Sequence, residues 1–191
     1  KVSDIHAIKI IFFITACYVG LWAIRIPTIK DQLQTDYVGV GYIMLSFAIG
    51  SIVAMIFANA LILKTSTKSI LTCTLIAEGC LWLPVPFIQE LWLFMAFSFI
   101  FGMSYGAFEI ACNVYASNLE VREKKSMMSG FHAFWSLGVL FGSLITSFLL
   151  ELNFSFIFNI LLYVIILLPL SLYFVLCLES HVETKSEDST K

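Results

Sequence analysis

The chain has 191 residues, of which 60% belong to the hydrophobic set AVILMFWYC and only 13% are charged. A soluble globular domain has about 45–50% apolar and about 25% charged residues, and a chain of this length cannot bury so much apolar surface. A net charge of −2 without a basic tract excludes nucleic-acid binding, which depends on neutralising phosphates. The composition therefore predicts an integral membrane protein whose surroundings are a lipid bilayer.

Six apolar stretches are long enough to cross a membrane as helices, since a span needs about 20 mostly apolar residues. They are apolar all round, whereas the strands of a membrane barrel alternate. The predicted fold is therefore an all-α bundle of six transmembrane helices within residues 1–178. Residues 179–191 are expected to form a polar cytoplasmic tail or the start of a central loop. The predicted spans are 8–28, 38–63, 70–88, 91–115, 127–150 and 154–178.

The basic residues predict the orientation of the helices, because cytoplasmic loops of membrane proteins are enriched in Lys and Arg. With the N-terminus in the cytoplasm, nine of the eleven Lys and Arg lie in cytoplasmic segments, and only Arg25 and Lys30 lie outside. We therefore expect a multi-pass protein of the cell membrane (inner or plasma membrane) with both termini in the cytoplasm.

Small residues recur at four-residue intervals on three of the predicted helices. Such residues let helix backbones approach closely in lipid, which predicts a compact bundle. They are Gly50, Ala54 and Ala58 on the second helix, Gly102 and Gly106 on the fourth, and Gly138 and Gly142 on the fifth.

A short internal sequence similarity, which we call the internal echo, suggests a repeat. Residues 20–33 parallel residues 106–119, each with a Gly first, an aromatic residue two positions later and a Leu thirteen positions later. Transporters often contain inverted three-helix repeats with the substrate site at their interface. The echo puts Ala23 and Glu109 in equivalent registers.

Glu109 is the strongest candidate for a functional group, because an ionisable side chain inside a membrane is costly and marks function by default. It shares one helix face with Gly106 and Asn113, at positions i, i+3 and i+7. A carboxylate, an amide and the gap left by a glycine can form the wall of a polar cavity. An interhelical structural hydrogen bond is the alternative.

Two other ionisable residues lie in or near the spans. Glu78 has only Thr74 as a polar neighbour on its helix face, which favours a structural bond or a protonated carboxyl. His132 opens the fifth span, with Ser136 on the same face. Imidazole titrates near neutral pH, so His132 is either a proton relay or an interfacial histidine bonded to a carbonyl.

Arg25 follows Trp22 near the outer end of the first span. It is expected to snorkel to the outer interface, or to supply a cation to the cavity if the first helix continues to Leu33. The candidate solute- or proton-binding residues are therefore Glu109, Asn113, His132, Arg25, Trp22 and Ser136.

An enzyme and a metal site are both disfavoured. Residues 102–106 match G-x-S-x-G, but that motif works as a strained strand-to-helix turn, and here it lies within an apolar helix. An intramembrane hydrolase is only a minor alternative, and we assign no catalytic residues. The five Cys form no C-x-x-C pair, so neither a metal nor a cofactor is predicted.

The pattern G-x-x-x-G-x-x-E-x-A-x-N, followed by Glu120 and by H-x-x-x-S-x-G, resembles the fourth and fifth helices of fucose-permease-like members of the major facilitator superfamily. Residues 22–30 resemble the first helix of a bacterial subgroup of uncharacterised inner-membrane proteins in that superfamily. The sequence departs at Ala23, since the fucose symporters carry an acid in helix one.

The resemblance implies the N-terminal six-helix half of a twelve-helix secondary transporter, with a C-terminal six-helix half in the same parent chain or as a partner. It further implies alternating-access transport of a small polar solute, a sugar or an organic acid, with helices one and four lining the cavity. Glu109, together with His132, would couple transport to protons. A non-transporting helical scaffold or receptor is the alternative, and it predicts polar groups scattered on different faces.

Overall fold

The computed structural model describes residues 2–179, apart from the side chains of residues 59, 60 and 63. Within these residues, six long helices are each apolar enough to cross a membrane, with a short 3-10 helix at Val85–Phe87 continuing the third. The predicted all-α, six-helix fold is confirmed; the predicted tail lies outside the described residues beyond Glu179. The helices are α1 (Asp4–Gln32), α2 (Tyr37–Lys64), α3 (Thr67–Trp82), α4 (Leu91–Glu123), α5 (Met128–Glu151) and α6 (Phe156–Cys177).

The helix ends differ from the predicted spans at three elements. Helix α1 extends beyond 8–28 at both ends, with Pro27 inside it, and α4 continues past residue 115 to Glu123. Hydropathy identifies the stretch that suits lipid, and polar turns of a helix can continue beyond it. Helix α3 instead ends early at Trp82, because Pro84 and Pro86 cannot continue an α-helix.

The helices pack in two close pairs, α1 with α5 and α2 with α4. Helix α6 lies against α1, α3 lies against α4, and α3 and α6 contact each other, whereas α1 and α4 touch only lightly. If α1, α2 and α3 are exchanged with α4, α5 and α6, respectively, the pattern of helix contacts stays the same. The α1–α5 pair, for example, becomes the α4–α2 pair. The fold therefore consists of two equivalent three-helix units.

Glycines set the distance within both close pairs. A Cβ added to Gly142 of α5 would lie 2.2 Å from the carbonyl oxygen of Cys17 in α1. One added to Gly102 of α4 would lie 2.0 Å from the carbonyl oxygen of Phe47 in α2. Such distances leave no room for a side chain. The other small residues of the predicted set are buried as well: Gly50, Ala54, Ala58, Gly106 and Gly138.

The packing also follows the internal echo of the sequence. Phe13 and Phe99 are as far apart in the chain as Gly20 and Gly106. The carbonyl oxygen of Phe13 lies close to Gly138 of α5, and that of Phe99 lies close to Gly50 of α2. A Cβ on Gly20 would meet the α5 backbone, and one on Gly106 would meet the α2 backbone. The two units therefore share a register as well as an arrangement.

We expect Gly142→Ala to lower the free energy of unfolding by about 1–3 kcal/mol, the usual cost of overpacking, because its Cβ has no space against Cys17. The matched control is Gly130→Ala in the same helix, where a Cβ would meet nothing within 4 Å. Unfolding of the purified protein in detergent measures both. Equal stability of the two variants would mean that Gly142 does not set the α1–α5 distance.

Candidate functional site

Two cavities lie in the cleft between α1 and α4. The larger, of about 370 Å³, is closed by α2 and α3, and we call it the aromatic cavity. The smaller, of about 150 Å³, is closed by α5, and we call it the Glu109 cavity. Tyr105 lines both. The aromatic cavity lies along the first half of α4 and the Glu109 cavity along the second, so they follow each other across the bundle.

The Glu109 cavity brings three of the predicted residues together. Helix α4 contributes Glu109 and Asn113, α5 contributes His132 and Trp135, and α1 contributes Phe12. The His132 ring packs edge-on against the Phe12 ring, with 5.7 Å between their centroids. Within residues 2–179, neither the Glu109 carboxylate nor the Asn113 amide forms a hydrogen bond. Both groups are therefore available to a solute or a proton.

Arg25 lines neither cavity. Helix α1 does continue past it, but the side chain is 2% exposed and joins α1 to α6. Its Nε donates to Asn159 Oδ1 over 3.1 Å, and its Nη2 donates to the carbonyl oxygen of Phe154 over 3.2 Å. The guanidinium also lies 5.5 Å from the centroid of the Phe156 ring. The structure therefore gives Arg25 a helix-joining position, and its role in solute binding stays a prediction.

The remaining candidates are also apart from the Glu109 cavity. Trp22 lines the aromatic cavity instead. Ser136 is exposed, and its Oγ donates to the backbone oxygen of His132 over 3.1 Å, so it does not reach the imidazole. Glu120 accepts hydrogen bonds from the backbone N–H groups at the start of α5, one of them over 2.7 Å, and thereby caps that helix.

The hydrolase alternative fails on geometry. Ser104 lies inside uninterrupted α4 rather than on a strand-to-helix turn. Its Oγ is buried and has no hydrogen-bond partner in the described part of the chain. The flanking Gly102 and Gly106 both pack against the α2 backbone. The motif therefore serves helix packing, and residues 2–179 contain no group of His, Cys, Asp or Glu that can hold a metal ion.

The aromatic cavity contains a carboxyl group for which the sequence favoured a structural bond or a protonated state. Glu78 is 7% exposed and lies on its wall, and no hydrogen bond reaches its carboxylate within residues 2–179. Trp82, four residues later on α3, stacks against Tyr18 with 5.9 Å between ring centroids. Two four-residue spacings in the sequence could have indicated this cavity, because residues four apart share a helix face. They are Glu78 with Trp82, and Tyr18 with Trp22.

The fold and these cavities define a polytopic membrane protein, built from two three-helix units around a cleft between its first and fourth helices. Residues 10–191 match the Major Facilitator Superfamily, and the chain belongs to this family. The resemblance seen in the sequence is thereby confirmed. The relatives described next carry the names of transporters, not of enzymes.

Two relatives of known sequence are similar to most of the chain. An uncharacterised MFS-type transporter of Yersinia pestis is 28% identical over 145 residues, which cover 74% of this chain and 37% of the relative. The uncharacterised transporter y4wD of Sinorhizobium fredii is 25% identical over 141 residues, covering 69% of this chain and 35% of the relative. The chain thus spans just over a third of each relative. No solved structure matches it.

We expect Arg25→Met to lower the free energy of unfolding by about 1–3 kcal/mol, because it leaves the buried Oδ1 of Asn159 and the carbonyl oxygen of Phe154 without their donor. The control is Lys30→Met in the same helix. Lys30 pairs at 2.8 Å with the exposed Asp31, and its loss should change stability by less than about 0.5 kcal/mol. Denaturation in detergent gives both values. An Arg25→Met protein as stable as Lys30→Met would show that the α1–α6 contact contributes little.

Proposed function

We propose that the chain is one six-helix half of a secondary active transporter, which moves a small solute across the cell membrane by alternating access. The observation that carries this proposal is the convergence of Glu109, Asn113 and His132 on one cavity in the α1–α4 cleft. Family membership supports transport as the activity. A second six-helix half, in the same parent chain or as a partner, would complete the cleft, and the greater length of both relatives supports it.

A non-transporting scaffold or receptor is the competing function. It predicts that polar groups lie on separate faces, each bonded to a neighbouring helix. Arg25, which bonds to Asn159 and to the Phe154 carbonyl oxygen, fits that description. Glu109 and Asn113 do not, because they line one shared cavity and form no side-chain hydrogen bond to residues 2–179. Unpaired polar groups inside a membrane are retained where they bind something, which favours the transporter.

The expected solute is a small polar one, a sugar or an organic acid, and this stays a prediction from the resemblance. Sugar hydroxyls suit Glu109 and Asn113, because a carboxylate accepts hydrogen bonds and an amide both donates and accepts them.

We further propose that Glu109 couples transport to protons. Its carboxyl is half-buried and lines a cavity together with His132, so a proton can reach it when the cavity opens. His132 is exposed and is the natural relay between Glu109 and water.

Glu109→Gln keeps the shape and hydrogen bonding of the side chain but removes its titration. In the full-length protein we expect it to abolish proton-driven accumulation of the sugar or organic acid that the parent takes up, while exchange without a gradient continues. Proteoliposomes with an imposed pH gradient measure both activities, and Glu151→Gln, at an exposed helix end, is the matched control. Accumulation equal to that of the parent would leave Glu109 with a structural role only.

The proposed orientation, with both termini in the cytoplasm, is tested by single cysteines in a background without the five native ones. In intact cells we expect an impermeant thiol reagent to label position 34 or 153, in the outer turns, and to spare residues 64–68 and 122–125. External labelling of either of those two segments contradicts the proposed topology.

A further inference from the structure

The aromatic cavity holds a carboxylate without a counter-charge. Glu78 lies on its wall and is 7% exposed, yet no Lys, Arg or His is among the described residues that line this cavity. Within residues 2–179, no hydrogen bond or ion pair reaches the carboxylate. The indole Nε1 of Trp82, on the same helix face, is also buried without a partner in that region. Isolated polar groups in hydrocarbon are costly, so this wall is built to meet a polar ligand.

Aromatic rings line the same cavity as Glu78. The Trp82 ring stacks on the Tyr18 ring, with 5.9 Å between their centroids. It also packs edge-on against the rings of Trp22 and Phe101, with centroid distances of 6.1 Å and 5.5 Å. A cation over such faces is attracted by the ring quadrupoles, and aromatic boxes are a common way to bind quaternary ammonium groups. The volume of about 370 Å³ falls within the range of roughly 300–1,000 Å³ for small-molecule sites.

We propose that the aromatic cavity binds an organic cation, a quaternary ammonium or protonated amine with an apolar body, whose charge lies between the Glu78 carboxylate and the rings of Trp22 and Trp82. The apolar body fills the rest of the cavity, whose other walls are mostly apolar and aromatic side chains, with Ser98, Tyr18 and Tyr105 as the hydroxyl-bearing ones. A sugar finds few hydrogen-bond partners there, and an organic acid is repelled by Glu78. The site is therefore distinct from the Glu109 cavity.

The inference adds a ligand class to the proposed transporter. Carriage of the cation across the membrane rests on the proposed function, because it requires alternating access. Binding of the cation does not, because Glu78, Trp22 and Trp82, which hold the charge, all lie on α1 and α3 of this chain. An equilibrium binding experiment therefore tests the inference independently of transport.

The test uses two probes of nearly identical shape, phenyltrimethylammonium, which is permanently charged, and tert-butylbenzene, which is neutral. Binding to the full-length protein in lipid nanodiscs is followed by tryptophan fluorescence, against empty nanodiscs. We expect saturable binding of the cation at least about tenfold tighter than that of the neutral probe, the factor expected for a desolvated cation–π contact next to a carboxylate. Equal affinities, or no binding of the cation, would overturn the proposal.

Three variants locate the charge. Glu78→Gln should remove the preference for the cation while tert-butylbenzene still binds, which also shows that the variant is folded. Glu78→Asp, which keeps the charge, should retain the preference, and Trp22→Leu should weaken cation binding by about 3- to 30-fold. The exposed Glu151→Gln is the matched control and should match the parent. A Glu78→Gln protein that still prefers the cation as strongly as the parent would refute the role of Glu78.

Discussion

Backbone contact between paired helices is the constraint on which the rest of this structure depends. Lipid is as apolar as the helices, so helix association in a membrane needs close van der Waals packing rather than the hydrophobic effect. Here that packing is provided by glycines, which bring α5 onto α1 and α4 onto α2 until backbone meets backbone. Because α1 and α4 are each held so closely by another helix, they touch one another only lightly, and the cleft between them remains open.

The polar groups of the bundle divide into those that join helices and those that line the cleft. Arg25 is bonded to α6, and the Tyr163 hydroxyl donates to the Gly142 carbonyl oxygen over 2.6 Å. These groups form hydrogen bonds within the protein in place of those they would form with water, as buried polar groups generally do. Glu78, which is buried on α3, and Glu109, which is half-buried on α4, form no such hydrogen bonds within residues 2–179. This contrast, rather than burial or charge alone, supports the proposal that the cleft is the functional region.

The sequence predicts the fold well because the signals for it are local. Apolar runs locate six helices, and four-residue spacings of Gly identify the helices that pack closely. The sequence also predicts that Glu109 and Asn113 share a face, since that follows from helical periodicity alone. It cannot predict the neighbours of Arg25 or Glu78, because these depend on which helix lies opposite. The structure puts Asn159 opposite one and a ring of aromatic side chains opposite the other.

The two three-helix units are equivalent in packing but not in chemistry. Exchanging the units maps α2, which closes the aromatic cavity, onto α5, which closes the Glu109 cavity. Helix α3 also closes the aromatic cavity, but its counterpart α6 is not among the described helices that line the Glu109 cavity. The register that aligns Gly20 with Gly106 aligns Ala23 with Glu109, so only the α4 side of this pair carries a carboxylate there. A bundle of two equivalent three-helix units can open toward either side of the membrane, but the helix packing alone gives neither cavity a preferred ligand. In the proposed transporter, the preference comes from side chains that break the equivalence, namely Glu109 in one cavity and Glu78 with Trp22 and Trp82 in the other.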